Sequence, residues 1–301
     1  MRLIRQIASL GATAFALAAG PVAAQSNDGI GELQIEGAPQ PGGIGFQEAA
    51  TSIARDLQWL DGMILAIITA IVLFVTGLLI AVMVLHNRGR NKTPSRFTHN
   101  TPIEVTWTVV PVVILMFIGA FSLPVLFNQQ EIPEADVTVK ATGYQWYWGY
   151  EYPDEGIAFD SFMIGYGENY VTDDIRAQLQ EAGYTEDEFR LATDEAMVVP
   201  VGQTIVVQVT GGDVIHSWTV PAFGVKQDAV PGRLAELWFE AEKEGVYFGQ
   251  CSELCGKDHS YMPITVKVVS QQEYQDWVDS RTEETASAAQ AAGAVQVASA
   301  E

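Results

Sequence analysis

The chain has 301 residues, 48% of them hydrophobic, and a formal net charge of −21. From residue 128 onward nine Lys and Arg face thirty Asp and Glu, so all of the net charge sits in that part. Such an acidic surface argues against nucleic acid as a partner, because phosphate is repelled, and it suits a cationic partner drawn in by long-range attraction. With only two cysteines, Cys251 and Cys255, a disulfide framework is excluded.

Residues 1–24 have the pattern of a secretory signal. Arg2 and Arg5 form a basic start, Ile7 to Ala19 an apolar run, and Val22-Ala23-Ala24 a small-residue cleavage site before Gln25. Residues 25–57 are rich in Gly, Pro and polar residues and are expected to form an extended or mobile arm. A helical hairpin that spans a membrane is expected over 58–127. Met63 to Leu85 carries no charge and as a helix would cover about 35 Å, enough to cross a hydrocarbon core of about 30 Å. Val105 to Phe127 is the second apolar block and contains Pro111 and Pro124. The intervening loop, about 86–104, holds Arg88, Arg90, Lys92 and Arg96, which places it on the cytoplasmic side. Two crossings then put both termini outside, in agreement with the signal. Thr101-Pro102-Ile103-Glu104 reads as a capping box that opens the second helix, with Thr101 as N-cap. The Glu104 carboxylate, at the mouth of a membrane helix, could also pass protons inward.

Beyond residue 128 the pattern turns to short β-branched and aromatic runs. They are Val137 to Ala141, Tyr144 to Tyr152, Val198-Val199, Ile205 to Val209, Ile215 to Val220, Leu237 to Phe239, Val246 to Phe248 and Ile264 to Val269. They predict an all-β sandwich or barrel over 128–280. A polar, helix-favouring insertion interrupts it at about 165–195, and Gln271 to Arg281 reads as a closing helix. Residues 281–301 read as a disordered tail.

The segment Cys251-Ser-Glu-Leu-Cys255-Gly-Lys-Asp-His259-Ser-Tyr-Met262 gathers two thiols, an imidazole and a thioether. His216 adds a second imidazole from an earlier strand. Thiolate, thioether and imidazole select copper or zinc over hard cations. A tetrahedral zinc site has no use for a thioether, and a mononuclear blue-copper site needs only one cysteine. Two thiolates bridging two coppers, with a histidine terminal on each, would use the whole set; Met262 and the Glu253 carbonyl would be the weak ligands. A Cys251–Cys255 disulfide and a structural zinc site remain the competing readings at this point.

The same loop with Pro263 resembles the binuclear CuA loop of the cytochrome c oxidase subunit II family. Asp213-Val-Ile-His216-Ser-Trp-Thr-Val-Pro221 resembles its earlier ligand strand. Gly143-Tyr-Gln-Trp146-Tyr-Trp148 resembles its aromatic stretch, and Asp228-Ala-Val-Pro231-Gly232-Arg233 a further signature. The resemblance covers about Leu57 to Trp277 and implies two transmembrane helices followed by a cupredoxin-like domain, facing the periplasm from a bacterial inner membrane. It implies copper ligation by His216, Cys251, Cys255, His259 and Met262, with Glu253 through its carbonyl. The Glu253 side chain would bind a magnesium or manganese ion shared with a haem-bearing subunit I. Trp146 would receive the electron from cytochrome c, Glu151, Asp154 and Asp213 would face that donor, and Glu104 would open a proton path. Implied partners are subunit I, subunit III, cytochrome c and membrane lipid. The competing function is a membrane-anchored copper electron carrier outside an oxidase.

Overall fold

A computed structural model describes residues 23–24, 30, 33–93 and 95–283. The expected signal lies outside the described residues except for Ala23–Ala24, and so does the expected tail from 284 onward.

Two long apolar helices come first. Helix α1 spans Ser52–Leu85 and α2 spans Thr101–Gln130. At 1.5 Å per residue α1 is about 50 Å long, well beyond a hydrocarbon core of about 30 Å. The surplus lies at its N-terminal end, which is docked on the β-domain. There the Thr51 side chain accepts from Ala54 N (3.0 Å) as the N-cap and donates to Phe223 O (2.8 Å), while Ile53 and Ala54 are buried. This cap starts the helix at Ser52, ahead of the expected 58. Gly224 (φ +69°) lies against this turn, and a Cβ on it would stand 2.7 Å from Ala54 Cα. The cap of α2 corrects the sequence reading. Asn100, not Thr101, is the N-cap, accepting from Ile103 N, and its own N–H donates to Glu104 Oε1 at 3.0 Å. Asn accepts at an N-cap at least as well as Thr, so the start moves back one residue and Pro102 still falls in the first turn, where its missing N–H costs nothing. Trp59 of α1 and Phe121 of α2 meet at 5.8 Å between ring centroids.

The β-domain has two five-stranded sheets and a separate hairpin. One sheet orders β1 (Ala23–Ala24), β2 (Leu33–Gly37), β11 (Gly245–Gln250), β12 (Pro263–Val269) and β6 (Met197–Pro200). The other orders β10 (Ala235–Glu240), β7 (Thr204–Gly211), β3 (Val137–Tyr144), β4 (Tyr147–Tyr152) and β5 (Ile157–Ser161). Strands β8 (His216–Val220) and β9 (Val225–Ala229) form the hairpin, which packs on β3 and β11. Alternating side chains such as Val139, Trp148, Val207, Phe239 and Val266 fill the core between layers. The insertion carries α3 (Asp173–Glu181), which sends Ile175 and Leu179 into that core. Helix α4 covers residues 271–283 and buries Tyr274 and Trp277.

The arm expected over 25–57 is partly built into the domain. Strand β2 pairs in parallel with β11, Ile35 opposite Val246, and Ile30 and Leu33 join the core. Its sequence, LQIEG, is short and half polar, so it gains its strand from a neighbour rather than from its own pattern. The tight turn at Gln145–Trp146 splits the aromatic run into β3 and β4, with Tyr144 opposite Tyr147. This turn, the start of β8, the end of β11 and the start of β12 meet in one region, and the loop 251–262 connects the last two.

Candidate metal centre

Two chain segments deliver the donors, the start of β8 and the loop 251–262. His216 opens β8 and is fully buried; Cys251 follows β11. Cys255 lies in the loop, His259 begins a single 3-10 turn, His259–Tyr261, and Met262 ends it. The thiols are 3.9 Å apart, far beyond a disulfide bond of about 2.05 Å, and both cysteines are free and buried. His216 Nδ1 lies 3.9 Å from Cys251 Sγ, and the Glu253 carbonyl oxygen 3.4 Å from the same sulfur. His259 Nδ1 and Met262 Sδ each lie 3.6 Å from Cys255 Sγ. Each thiol thus has one imidazole nitrogen and one weaker donor beside it. Neighbouring ligands on a tetrahedral soft metal with bonds of 2.0–2.3 Å stand about 3.5–3.8 Å apart. The separations of 3.4–3.9 Å are close to that range, so the chemistry and spacing of the donor set suit soft-metal ions. His216, Cys251 and Cys255 place their donor atoms within 4.8 Å of one another.

The surroundings fix these donors. His216 Nε2 donates to Asp213 Oδ1 at 2.9 Å, which leaves Nδ1 to face the sulfur. Gly143 of β3 lies against the ring; a Cβ there would stand 2.8 Å from His216 Cγ. Trp148 packs edge-on to the ring at 6.1 Å and donates from Nε1 to Met262 O (3.3 Å). Ser252 N donates to Ser217 O (3.0 Å), tying the loop to β8. Burial opposes charge on the His216 imidazole, but Cys251 and Asp213 outweigh it and raise its pKa. Burial likewise pushes the Cys251 thiol up, yet His216 and nearby backbone groups bring it down to about 7. Burial and the charge on Cys251 push Cys255 up to about 12. One thiol is therefore the readier to become a thiolate, and a bound cation would have to displace the proton of the other.

Trp146 sits half-buried in the β3–β4 turn beside the loop. A Cβ on Gly256 would stand 3.0 Å from its Cζ2, and Lys257 Nζ lies 5.6 Å over its ring. Its neighbour Gln145 donates from Nε2 to Cys255 O (2.7 Å) and from its backbone N to Asp213 Oδ2 (2.8 Å). Sequence reading missed both Gln145 and Gly143; a glycine amid a run of rings was the available signal of close approach.

The three expected donor-facing carboxylates fare differently. Asp213 is engaged with His216, Gln145 and Val214 through its two oxygens. These contacts hold its carboxyl below the usual range despite burial. Glu151 pairs with Lys140 at 2.6 Å. Asp154 lies in the turn after β4, at the end of that strand remote from Trp146. Asp160 of β5, opposite Gly149, acts electrostatically on Tyr147 beside Trp146 and is nearer the centre than Asp154. Glu253 is exposed, and Glu104 lies at the start of α2, away from the donors.

Comparisons with known proteins identify the family. The family model described as "Cytochrome C oxidase subunit II, periplasmic domain" matches residues 137–269. That described as "Cytochrome C oxidase subunit II, transmembrane domain" matches residues 39–125. Cytochrome c oxidase subunit 2 of Cereibacter sphaeroides is 65% identical over 267 residues, 87% of this chain and 87% of the relative. A probable cytochrome c oxidase subunit 2 of Rickettsia bellii is 45% identical over 244 residues, 81% of this chain and 86% of that one. The crystal structure of the periplasmic domain of subunit II of cytochrome oxidase from Bradyrhizobium japonicum is 49% identical, with a TM-score of 0.43, covering 51% of this chain and 98% of that one. With two apolar helices before a cupredoxin-like periplasmic domain, the chain belongs to the cytochrome c oxidase subunit II family and works as one subunit of that oxidoreductase.

Proposed function

We propose that this chain receives electrons from a cationic cytochrome c at a pair of copper ions and passes them to haem in subunit I, where oxygen is reduced to water and protons are pumped. One observation carries the reading: two thiols 3.9 Å apart, each with its own imidazole Nδ1 within 3.9 Å. A single blue-copper ion, held by one thiolate and two imidazoles, would leave one thiol surplus. Cys251, Cys255, His216 and His259 would hold the pair, with Met262 and the Glu253 carbonyl as the weaker ligands. When bound, such a copper pair takes up and releases one electron at a time with small geometric change.

The remaining roles follow from position. Asp213 holds the His216 ring in the tautomer that turns Nδ1 inward. Trp146, in contact with the backbone that follows Cys255, is the surface-side group through which the electron arrives. The net charge of the domain, with Asp160 beside the Trp146 turn, steers the donor; Glu151 and Asp154 lie further along the same sheet. Glu253 carries an exposed carboxylate next to the centre, suited to a magnesium or manganese ion shared with subunit I. Glu104 receives the Asn100 N–H and caps α2; its second oxygen remains for a proton path that begins on the cytoplasmic side. The basic loop residues Arg88, Arg90, Lys92 and Arg96 favour that side for the hairpin connection and the periplasm for both termini. Subunit III would complete the complex.

The full-length chain, purified from membranes, tests the reading. Copper analysis should give two ions per chain, and electron paramagnetic resonance a hyperfine pattern shared by two equivalent coppers. A single-copper pattern, or zinc in stoichiometric amount, would refute it. Co-purification of a haem-bearing subunit separates the oxidase from a stand-alone copper carrier, which would come down without one.

A further inference from the structure

The loop 251–262 has little regular structure of its own. Its 3-10 turn has no side-chain cap, and within it His259 N reaches Gly256 O only at 3.4 Å, with Tyr261 N to Asp258 O at 2.8 Å. A loop with so few internal bonds takes its shape from outside contacts. Beside the contacts from β8 and the β3–β4 turn already described, one set comes from the insertion between β5 and β6. Tyr166 donates its hydroxyl to Asp258 Oδ2 at 2.9 Å. Gln250 donates from Nε2 to the carbonyl of Arg190 at 3.1 Å. Tyr261 has its ring 5.6 Å from the Arg190 guanidinium and donates its hydroxyl to Asn169 Oδ1 at 3.2 Å. Gln250, Asp258 and Tyr261 immediately precede Cys251, His259 and Met262. The insertion therefore grips the residue ahead of three of the proposed ligands.

Arg190 is the hub of this grip. It holds φ +72°, the one non-glycine residue with positive φ among the described residues, a conformation that persists only where surrounding contacts over-determine it. Its Nη2 donates to Asn169 O at 2.6 Å, and its guanidinium lies 5.4 Å from the Phe189 ring as well as over Tyr261. Asn169 thus joins Arg190 through its carbonyl and Tyr261 through its side chain. We propose that Arg190, with Tyr166, is a positioning residue of the copper loop, and that the insertion sets the geometry of Cys251, His259 and Met262 through their preceding residues. This inference rests on the copper reading above.

The test uses the purified oxidase carrying Arg190→Gly, Arg190→Lys or Tyr166→Phe. Glycine accepts the positive φ without strain, so Arg190→Gly removes the guanidinium and keeps the backbone. Three quantities are read: the rate of copper release to a chelator, the resonance spectrum of the copper pair, and the melting temperature of the chelated protein. Outer contacts of metal ligands are worth about 10–100-fold in retention. With contacts one residue removed, Arg190→Gly should release copper about tenfold faster and shift the hyperfine splitting, while the chelated protein melts no lower than wild type. Arg190→Lys and Tyr166→Phe should fall between. Wild-type release and spectrum in Arg190→Gly overturn the proposal. So does faster release with an unchanged spectrum and a matching fall in melting temperature, because that is loss of fold alone. A wild-type oxidase without a copper pair overturns the copper reading itself, and this inference with it.

Discussion

Gly143 is the position where one methyl group tests the whole arrangement. A Cβ there would stand 2.8 Å from His216 Cγ and 2.9 Å from its Cβ and Cδ2. In Gly143→Ala the ring has to retreat by about 0.6 Å to reach ordinary contact near 3.4 Å, or β3 has to bow outward by a similar amount. Neither is easy. His216 is fully buried, held on one edge by Asp213 and packed against Trp148, and β3 is the central strand of its sheet, bonded to β4 and β7. Overpacking of this kind costs about 1–3 kcal/mol. The displacement also exceeds the tolerance of about 0.2 Å that metal–ligand distances allow, so the effect on the metal should exceed the effect on the fold. The variant should melt a few degrees lower, consistent with a penalty of that size, and should retain less than two coppers per chain with a disturbed spectrum. Metal analysis, paramagnetic resonance and thermal melting of the full-length protein read all three. Two coppers with the wild-type spectrum in Gly143→Ala would refute the placement of His216 against β3 and the ligand geometry built on it.

Two further outcomes follow from the surroundings. Asp213→Asn keeps the size of the side chain but replaces the carboxylate that orients His216; copper affinity should fall about 10–100-fold in a competition titration with a chelator, and an unchanged affinity would show that Asp213 acts only at the surface. Glu242→Gln removes the charge that pairs with Arg55 at the foot of α1. The Arg55 guanidinium holds the Glu242 carboxyl below the ordinary carboxylate range, so the pair contributes at neutral pH and the contribution is lost as pH falls through the folded pKa. Melting curves of variant and wild type should differ only slightly at pH 7, as for other solvent-screened pairs, and converge in acid; a gap that persists at low pH would exclude the ion pair as its cause.

Much of this was legible in the sequence because the signals were strong and local. An apolar run such as Met63 to Leu85 has few folded alternatives, and the thiol-rich loop restricts its own chemistry. Eight of the strands also announced themselves through β-branched or aromatic residues. What escaped was non-local. Strand β2 exists because β11 lends it partners, and β9 (VKQDA) has only two outer apolar residues, each buried by packing from elsewhere. The resemblance set Asp213 among the donor-facing carboxylates and gave no sign of its contacts within the chain. Those contacts, to His216 three residues on and to Gln145 in the β3–β4 turn, depend on how that turn meets β8. Arg190 carried no sequence signal at all, since nothing in a polar insertion marks a positive φ or the loop that lies beneath it.

The junction between helix and β-domain shows which interactions set the height of the centre above the membrane. The Arg55–Glu242 pair is conspicuous but exposed on both sides, and solvent screening leaves such pairs little net stabilisation. Beside it, Ala50 N donates to Ala222 O at 2.9 Å, Glu242 N to Ala50 O at 3.0 Å, and the buried Thr51 hydroxyl to Phe223 O at 2.8 Å. Each such bond contributes about 0.5–1.5 kcal/mol net, and each costs more if one partner is left buried alone. The hydrogen bonds therefore outweigh the ion pair, and they act on the backbone, which a flexible arginine side chain does not. Two of them join the residues just ahead of α1 to the short turn Pro221–Phe223 after β8, the strand that His216 opens, and the third joins Ala50 to the segment after β10. One ligand strand is thereby tied to a helix that cannot shift along the membrane normal without exposing its apolar face. Under the proposed function the centre has to meet a soluble donor on one side and a membrane-embedded partner on the other, and the tie through β8 would hold it at a fixed height between them.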